Sequence, residues 1–463
     1  MSASLKLAQV AARKKFQDLP PQVVHQTKRL VLDTLGCALG GLDSQACRII
    51  LEYVAEAGHP AQATVFGPGP RTSVSLAALA NGTMVRYLDY NDTAFIIQGE
   101  IYRSGYHPSE VIPAILALAE WQGLSGREVI TAINLGYDLS LAWLEGVIGR
   151  GIEADGWNGD TRGAYVMPLV LGRLLGLTPE EMVAAVGICG SCHAVFGILD
   201  TPAEEYTHTK NIRFPTMAQS AVQAVLLARR GFTGPAGMID GHDGLIEVMM
   251  GGRYDLDRLL AVRDKNAILD SCIKSIIADY SSHGHLTATL NLVREHDIQP
   301  EEVDSIRITT SKRCAEHTGD PVKKYPRNKE TADHSSYWLT AIAVLERQVG
   351  PNQFKPEKYV DPRAIELIDK VTLLGDPTLD KHRPAGISEI TLKDGRIFKT
   401  RVDHPRGHAK NPMTDQEVVD KFRDMADRHM SRDRLDRLIE TVMDLDRLAH
   451  VGRLMELMAL PRG

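Results

Sequence analysis

No long block of basic residues runs through this chain, and that shortage excludes more functions than any other. Its 463 residues hold 53 Lys plus Arg against 59 Asp plus Glu, a net charge of −6. Binding to nucleic acid needs a concentrated Lys/Arg face, which is missing. Long apolar runs are missing as well. The longest, 111–119 and 164–177, fall short of the ~20 residues a membrane span requires, and Arg173 interrupts the second. No apolar stretch near the start leads to a small-residue cleavage site, so export is not expected; Leu5, Leu7, Val10 and Ala11 read instead as the inner face of a first helix. Cysteine is sparse, with six scattered at 37, 47, 189, 192, 272 and 314. Cys189-Gly190-Ser191-Cys192-His193 has the spacing that attaches c-type haem, but it follows the helical run 182–188. The expectation is thiols in a helix and a reducing, cytoplasmic home. Low-complexity tracts, collagen periods and 20–50-residue repeats are absent. What remains, 43% apolar and 24% charged, is ordinary for a soluble globular protein, and the length suggests two or three domains. A large enzyme or a large binding scaffold fits that description.

Most of the first 265 residues read as helix. Val24, Val31, Leu35 and Ala38 recur at helical spacing and stop at Gly40-Gly41. Capping boxes, in which a Ser/Thr oxygen takes an orphan amide and a Glu reaches back, are expected at Ser125…Glu128, Thr178…Glu181 and Thr414…Glu417. Character changes near 265. Val303-Asp304-Ser305-Ile306-Arg307-Ile308-Thr309 alternates with period two, and 387–392 and 397–402 flank Lys393-Asp394-Gly395-Arg396, a hairpin signal. Helical runs at 336–345 and 362–371 lie between. The fold expected is mainly α: a large helical domain from residues 1–267 and 406–463, with an inserted α+β domain at 268–405.

The familiar cofactor loops are absent: no G-x-G-x-x-G after a strand, no P-loop, no G-x-S-x-G elbow. No cofactor and no bound metal are expected. His404 and His408 are separated by Pro405 and Gly407, which break the helix that would align them, and His283 and His285 could share a strand face but lack a third ligand. Three polar clusters remain. Asp89-Tyr90-Asn91-Asp92-Thr93 with Tyr106-His107-Pro108-Ser109 suits acid–base work or, equally, helix capping. His208-Thr209-Lys210-Asn211-Ile212-Arg213 puts two cations ahead of the apolar helix 218–228, where they suit an anionic substrate or a solvated turn. Lys274, Asp279, His283 and His285 precede a helix at 286–294.

In this order the clusters resemble the MmgE/PrpD family over nearly the whole chain. The resemblance rests also on Val31 to Gly41, Gly231-Phe232-Thr233-Gly234-Pro235, Glu330-Thr331-Ala332-Asp333-His334-Ser335, Pro405-Arg406-Gly407-His408 and Asn411-Pro412-Met413. It implies a helical domain with a smaller lid, a homodimer, no metal, and a small-molecule carboxylate substrate. Family chemistry of dehydration, decarboxylation and epimerisation generates a carbanion-like centre beside a carboxylate, which needs a base, cations and an acid. The resemblance implies catalytic roles for His107, Asp89, Lys210, Asp279 and His283, and substrate binding by Asp92, Thr93, Arg213 and Lys274. Two departures stand out. The 94–106 segment is longer than in typical dehydratases, and the decarboxylase members' histidine is replaced by Gly156-Trp157-Asn158-Gly159-Asp160-Thr161. The missing histidine counts against decarboxylation, and within the resemblance the 330–335 run implies a dehydratase of a hydroxy-polycarboxylate such as 2-methylcitrate. An epimerase of a dicarboxylate or a cis-aconitate-type decarboxylase is the alternative.

Overall fold

The computed structural model describes residues 1–57, 60–99, 101–104, 106–262 and 265–461. The chain is mainly α with some β. Local signals account for many of the helix ends. Pro21 opens the helix Pro21–Gly40, at a position where its missing N–H costs nothing. That helix is buried without interruption from Leu30 to Gly40. A Cβ added at Gly36 would lie 2.7 Å from the Met425 side chain, so the helix Asp415–Ala426, from the far end of the chain, sits directly on it. The first helix, Ala3–Arg13, buries Leu7 and Ala11 and half-buries Leu5 and Val10. Thr178 with Glu181 and Thr414 with Glu417 form reciprocal capping boxes. The third expected box forms only by half. Ser125 Oγ accepts the Glu128 N–H at 3.3 Å, but Arg173 draws the Glu128 carboxylate away from the cap.

A four-stranded sheet has the order Val371–Asp376, Val303–Ser311, Gly386–Leu392, Ile397–Val402, with only the first pair parallel. Gly395, at φ +90°, turns the expected hairpin, a backbone conformation open mainly to glycine. The 94–106 segment, read as a loop, contains an antiparallel hairpin, Phe95–Gln98 with Ile101–Ser104. His283 and His285 are not on a strand; they occupy the first turn of the helix His283–Glu295. The Cys189–Cys192 pair lies at the end of the helix Pro179–Cys192, with both thiols free.

Apolar burial falls into two clusters. One draws on residues between Ala3 and Ile273 and again between Met413 and Met458. The other runs from Ile276 to Leu392 and includes Cys37, Leu88 and Met425. Ala267, Ile268 and Ile273 pack in the first and Ile276 in the second. Among the described residues, no helix is long and apolar enough to cross a membrane.

Candidate active site

The helix Val74–Tyr87 places Arg86 in its last turn, and the chain then passes through Asp89 at φ +53°. Asp tolerates this left-handed conformation better than most residues, and such backbone strain gathers at functional sites. Asp89 is almost fully buried and ringed by cations. Lys274 contacts its Oδ1, Lys210 Nζ lies 2.8 Å from its Oδ2, and Arg86 lies 3.3 Å from the same oxygen. Burial alone would protonate the acid, but Arg86, Lys210 and Lys274 outweigh it and hold Asp89 well below the usual carboxylate range. Lys274 is brought there by a short pairing of Thr93 with Cys272, which exchange backbone hydrogen bonds of 2.9 and 2.7 Å. Its ammonium also donates to the Asp89 and Ala278 carbonyls, each at 3.0 Å.

The charge pattern continues inward. Lys210 donates to both Asp333 oxygens at 2.7 Å, and Lys329 reaches Asp333 at 2.6 Å. Lys329, Asp333, Lys210, Asp89 and Lys274 thus alternate in sign through a region where none is more than 5% exposed. A buried charge survives only when paired and hydrogen-bonded. Beside this knot runs a second one. Arg162 lies 3.1 Å from Asp160 and 3.6 Å from Glu110, while Arg213 joins Asp160 at 3.2 Å to Asp200 at 3.0 Å. Burial, with Asp160 adding to it, pushes Glu110 up to about 8.

Two imidazoles border the cavity. His107, fixed just ahead of Pro108, places Nδ1 2.6 Å from the Asp92 carbonyl. That carbonyl can only accept, so Nδ1 carries the proton and Nε2 is bare. Burial and the charges of Arg86 and Lys274 hold His107 well below its ordinary value, so the ring is neutral. His334 places Nδ1 2.5 Å from Asp333 Oδ1 and Nε2 3.9 Å from Asp279 Oδ2. Burial and Lys210 lower it too. Asp279 caps the turn Tyr280–Ser282 by accepting the Ser281 N–H at 3.0 Å. Burial would raise its carboxyl, but His334 and His317 hold it down at about 2.

A cavity of about 620 Å³ opens between these groups. Thr93, His107, Arg213, Lys274 and Asp279 line it. Asp89, Asp92, Lys210 and His283 lie behind its wall. Asp92 accepts from the Ser109 N–H at 3.1 Å and from the Tyr137 hydroxyl at 2.6 Å, and burial pushes it up to about 6. It holds the loop that carries His107 rather than facing a ligand. Lys210 is shared between Asp89 and Asp333 at 2.8 and 2.7 Å. His283 is fully buried behind Tyr280, ring centroids 4.9 Å apart. His334, by contrast, lines the cavity; its one local signal is its place beside Asp333 in the 330–335 run. Arg86, Arg162, Arg313 and Arg383 also line it without any local pattern to announce them. Gly159 permits one close approach, since a Cβ there would lie 1.9 Å from the Tyr106 ring.

Two sets of groups here have metal-ligating spacing, Asp89/Asp333/His334 and Asp279/His317/His334. In the first, both acids already hold lysine ammoniums. The second is backed by Lys323, which donates to the His317 carbonyl at 2.7 Å. Among the described residues eight cations and four acids line the cavity, so its field favours an anion. A third set, His242, Asp243 and Glu247, is exposed and does not line it.

Neutral imidazoles anchored by an acid and a carbonyl, in a cavity rich in positive charge, suit proton transfer on a small anion. Residues 5–257 match the MmgE/PrpD N-terminal domain and residues 278–447 the MmgE/PrpD C-terminal domain. The chain belongs to the MmgE/PrpD family. It is similar to a cis-aconitate decarboxylase-like protein of Aspergillus oryzae, 24% identical over 96% of this chain and 95% of the relative. It is also similar to the cis-aconitate decarboxylase of Mus musculus, 26% identical over 96% of this chain and 91% of that one. The 2-methylcitrate dehydratase of Escherichia coli K12 is 25% identical over 93% of this chain and 92% of its own length. Identity does not separate the two activities.

Proposed function

We propose that the protein is a lyase acting on a small hydroxy-polycarboxylate, of which 2-methylcitrate is the reference case, by loss of water. The observation that carries this reading is the unequal setting of the two imidazoles. His107 has Arg86 and Lys274 close by and one carboxylate, Asp89, 3.7 Å from its Nε2, whereas His334, with Lys210 at 3.4 Å, stands between the carboxylates of Asp333 and Asp279. Burial lowers both rings, but the greater number of carboxylates around His334 favours it as the protonated partner. When substrate carboxylates enter, their negative charge favours the imidazolium form, and His334, already flanked by acids, takes the proton first. His107 Nε2 then removes a proton from the carbon beside a substrate carboxylate. The electron pair forms the carbon–carbon double bond, the neighbouring C–O bond breaks, and the departing hydroxide takes a proton from His334 to leave as water. Lys274 and the arginine wall balance the charge that develops on the carboxylate. His107 comes from the helix-rich unit and His334 from the sheet-bearing unit, so both must meet for reaction. On this reading the sheet-bearing unit acts as a lid.

A panel of hydroxy-di- and tricarboxylates followed by proton NMR tests it. The expected result is a new olefinic or vinylic methyl signal from at least one substrate. His107→Gln is expected to lower that rate about 10²–10⁴-fold with the fold retained. No turnover across the panel would end the reading. The similarity to cis-aconitate decarboxylases supports a second one, in which a C–C bond to a carboxylate breaks and His334 protonates the carbon. Release of CO₂ instead of water from an unsaturated tricarboxylate would select it. Against it, Gly156, Trp157 and Gly159 bring no titratable side chain to the cavity wall.

A further inference from the structure

Most cations around the cavity already have an acid. Arg86 and Lys274 share Asp89, Arg162 has Asp160 and Glu110, Arg213 has Asp160 and Asp200, and Arg150 has Asp155 at 3.1 Å. Three have none among the described residues: Arg103, whose guanidinium is taken up by the Gln98 side chain and the Val147 and Gly149 carbonyls, and Arg313 and Arg383, which line the cavity from the sheet-bearing unit. Arg383 is only 9% exposed. Its guanidinium lies 3.9 Å from the centre of the Tyr102 ring and donates to the carbonyls of Tyr102 and Asp380, each at 3.3 Å. The Asp380 carboxylate, which accepts the Arg313 backbone N–H at 3.3 Å, offsets part of its charge but forms no ion pair with it among the described residues. The turn Pro377–His382 therefore positions both arginines. Glu316, one helical turn after Arg313, lies 3.8 Å from Lys312. Burial depresses the Arg383 guanidinium, and the charge of Arg313 adds to it.

A buried guanidinium beside a second positive charge, held by carbonyls and a ring face but no carboxylate, is unfavourable until an anion arrives. Its planar fork matches a carboxylate in two parallel hydrogen bonds, and the aromatic face beneath fixes its plane. We propose that Arg313 and Arg383, with Tyr102 as the shelf below them, form a carboxylate subsite that receives a second carboxylate of the substrate, separate from the one beside the reacting carbon. The subsite makes the cavity selective for di- and tricarboxylates over monocarboxylates. Because Tyr102 belongs to the hairpin of 95–104, the lengthened 94–106 segment becomes a specificity element that joins the helical side of the cavity to Arg383. The word substrate rests on the lyase reading; binding of a polycarboxylate does not.

Calorimetric titration with propane-1,2,3-tricarboxylate, which has no hydroxyl to lose, tests the subsite without turnover. Arg313→Gln and Arg383→Gln are each expected to bind it about tenfold more weakly or worse, the loss of one charge-assisted pair. Arg383→Lys should fall between, since it keeps the charge and loses the fork. Affinity for butyrate, measured by NMR titration, should change less than about twofold, which a general loss of structure would not give. Should Arg383→Gln fail to fold, Arg313→Gln, whose side chain is exposed, decides alone. The subsite is overturned if the native protein does not bind the tricarboxylate at about 10 mM, if Arg313→Gln binds it as tightly as the native chain, or if butyrate weakens equally. Selective loss of tricarboxylate binding with no dehydration of any hydroxy-acid would keep the subsite and remove the lyase reading. Dehydration with an unchanged KM in Arg313→Gln would do the reverse.

Discussion

Two walls of one cavity handle positive charge in opposite ways. Behind His107, Lys210 and Lys329 are almost fully buried and clamped to Asp89 and Asp333. Across from it, Arg313 and Arg383 line the cavity with no ion pair among the described residues. The difference teaches what a cation near a cavity is for. A lysine already matched by a carboxylate is part of the scaffold that fixes other groups. An arginine left unmatched is the one with capacity for an incoming anion. Counting Lys and Arg in a sequence cannot tell these apart, because the partner that decides the role is supplied by the fold.

The comparison breaks most visibly at its buried end. Lys210→Met leaves Asp89 and Asp333 facing each other across a dry interior with one cation fewer, and breaking a buried pair from one side costs about 3–5 kcal/mol. Urea unfolding should show a loss of that size, and activity should fall with it. Adding Asp333→Leu to Lys210→Met should deepen the loss, because Lys329, which reaches Asp333 at 2.6 Å, is then left as an unpaired buried cation. A loss below about 1 kcal/mol for the single variant would mean that the knot is open to water and the two walls are alike.

What could be read locally in the sequence held up locally. The Thr178 and Thr414 boxes and the Asp394-Gly395 turn depend on residues within a few positions of one another. The Ser125 box failed by half because Glu128 answers to Arg173, a partner that spacing cannot reveal. The same limit applies to the site. His107 was legible because it sits in a polar loop before an apolar helix. His334 was printed beside Asp333 but needed Lys210, far away in the chain, to disclose its setting. Arg313 and Arg383 meet only because Asp380 and Tyr102 hold them, and nothing in their own neighbourhoods announces that. His283 and His285, two apart, satisfied a strand pattern as well as the helix start they adopt.

Buried histidines in the sheet-bearing unit sharpen the contrast through pH. Burial holds His283, His285 and His317 at about 3, against an unfolded value near 6.5. Between those values the unfolded chain binds more protons, so stability is present above pH ~6.5 and is lost as pH falls toward 3. Asp92, raised to about 6, works the other way, since the folded state holds its proton longer. His285→Leu removes one histidine from this balance, and both ring nitrogens of His285 lack a hydrogen-bond partner among the described residues. The slope of unfolding free energy between pH 6 and 4 should flatten by up to about 1.4 kcal/mol per pH unit. An unchanged slope would mean that His285 titrates normally in the folded protein.

The smallest effect belongs to the open wall. Arg313 is exposed, forms no ion pair among the described residues, and its backbone N–H, which Asp380 accepts, survives the change to Gln. Removing its charge takes away repulsion on Arg383 and breaks no ion pair, so Arg313→Gln should stay within about 0.5 kcal/mol of the native stability. If anything the shift should be upward, and raising salt should erase it, because screening weakens the same repulsion. The urea titration that exposes the cost of Lys210→Met serves here as well. Should Arg313→Gln cost more than about 1 kcal/mol in the absence of any anion, Arg313 would be a structural cation like those of the knot, and the asymmetry between the two walls would disappear.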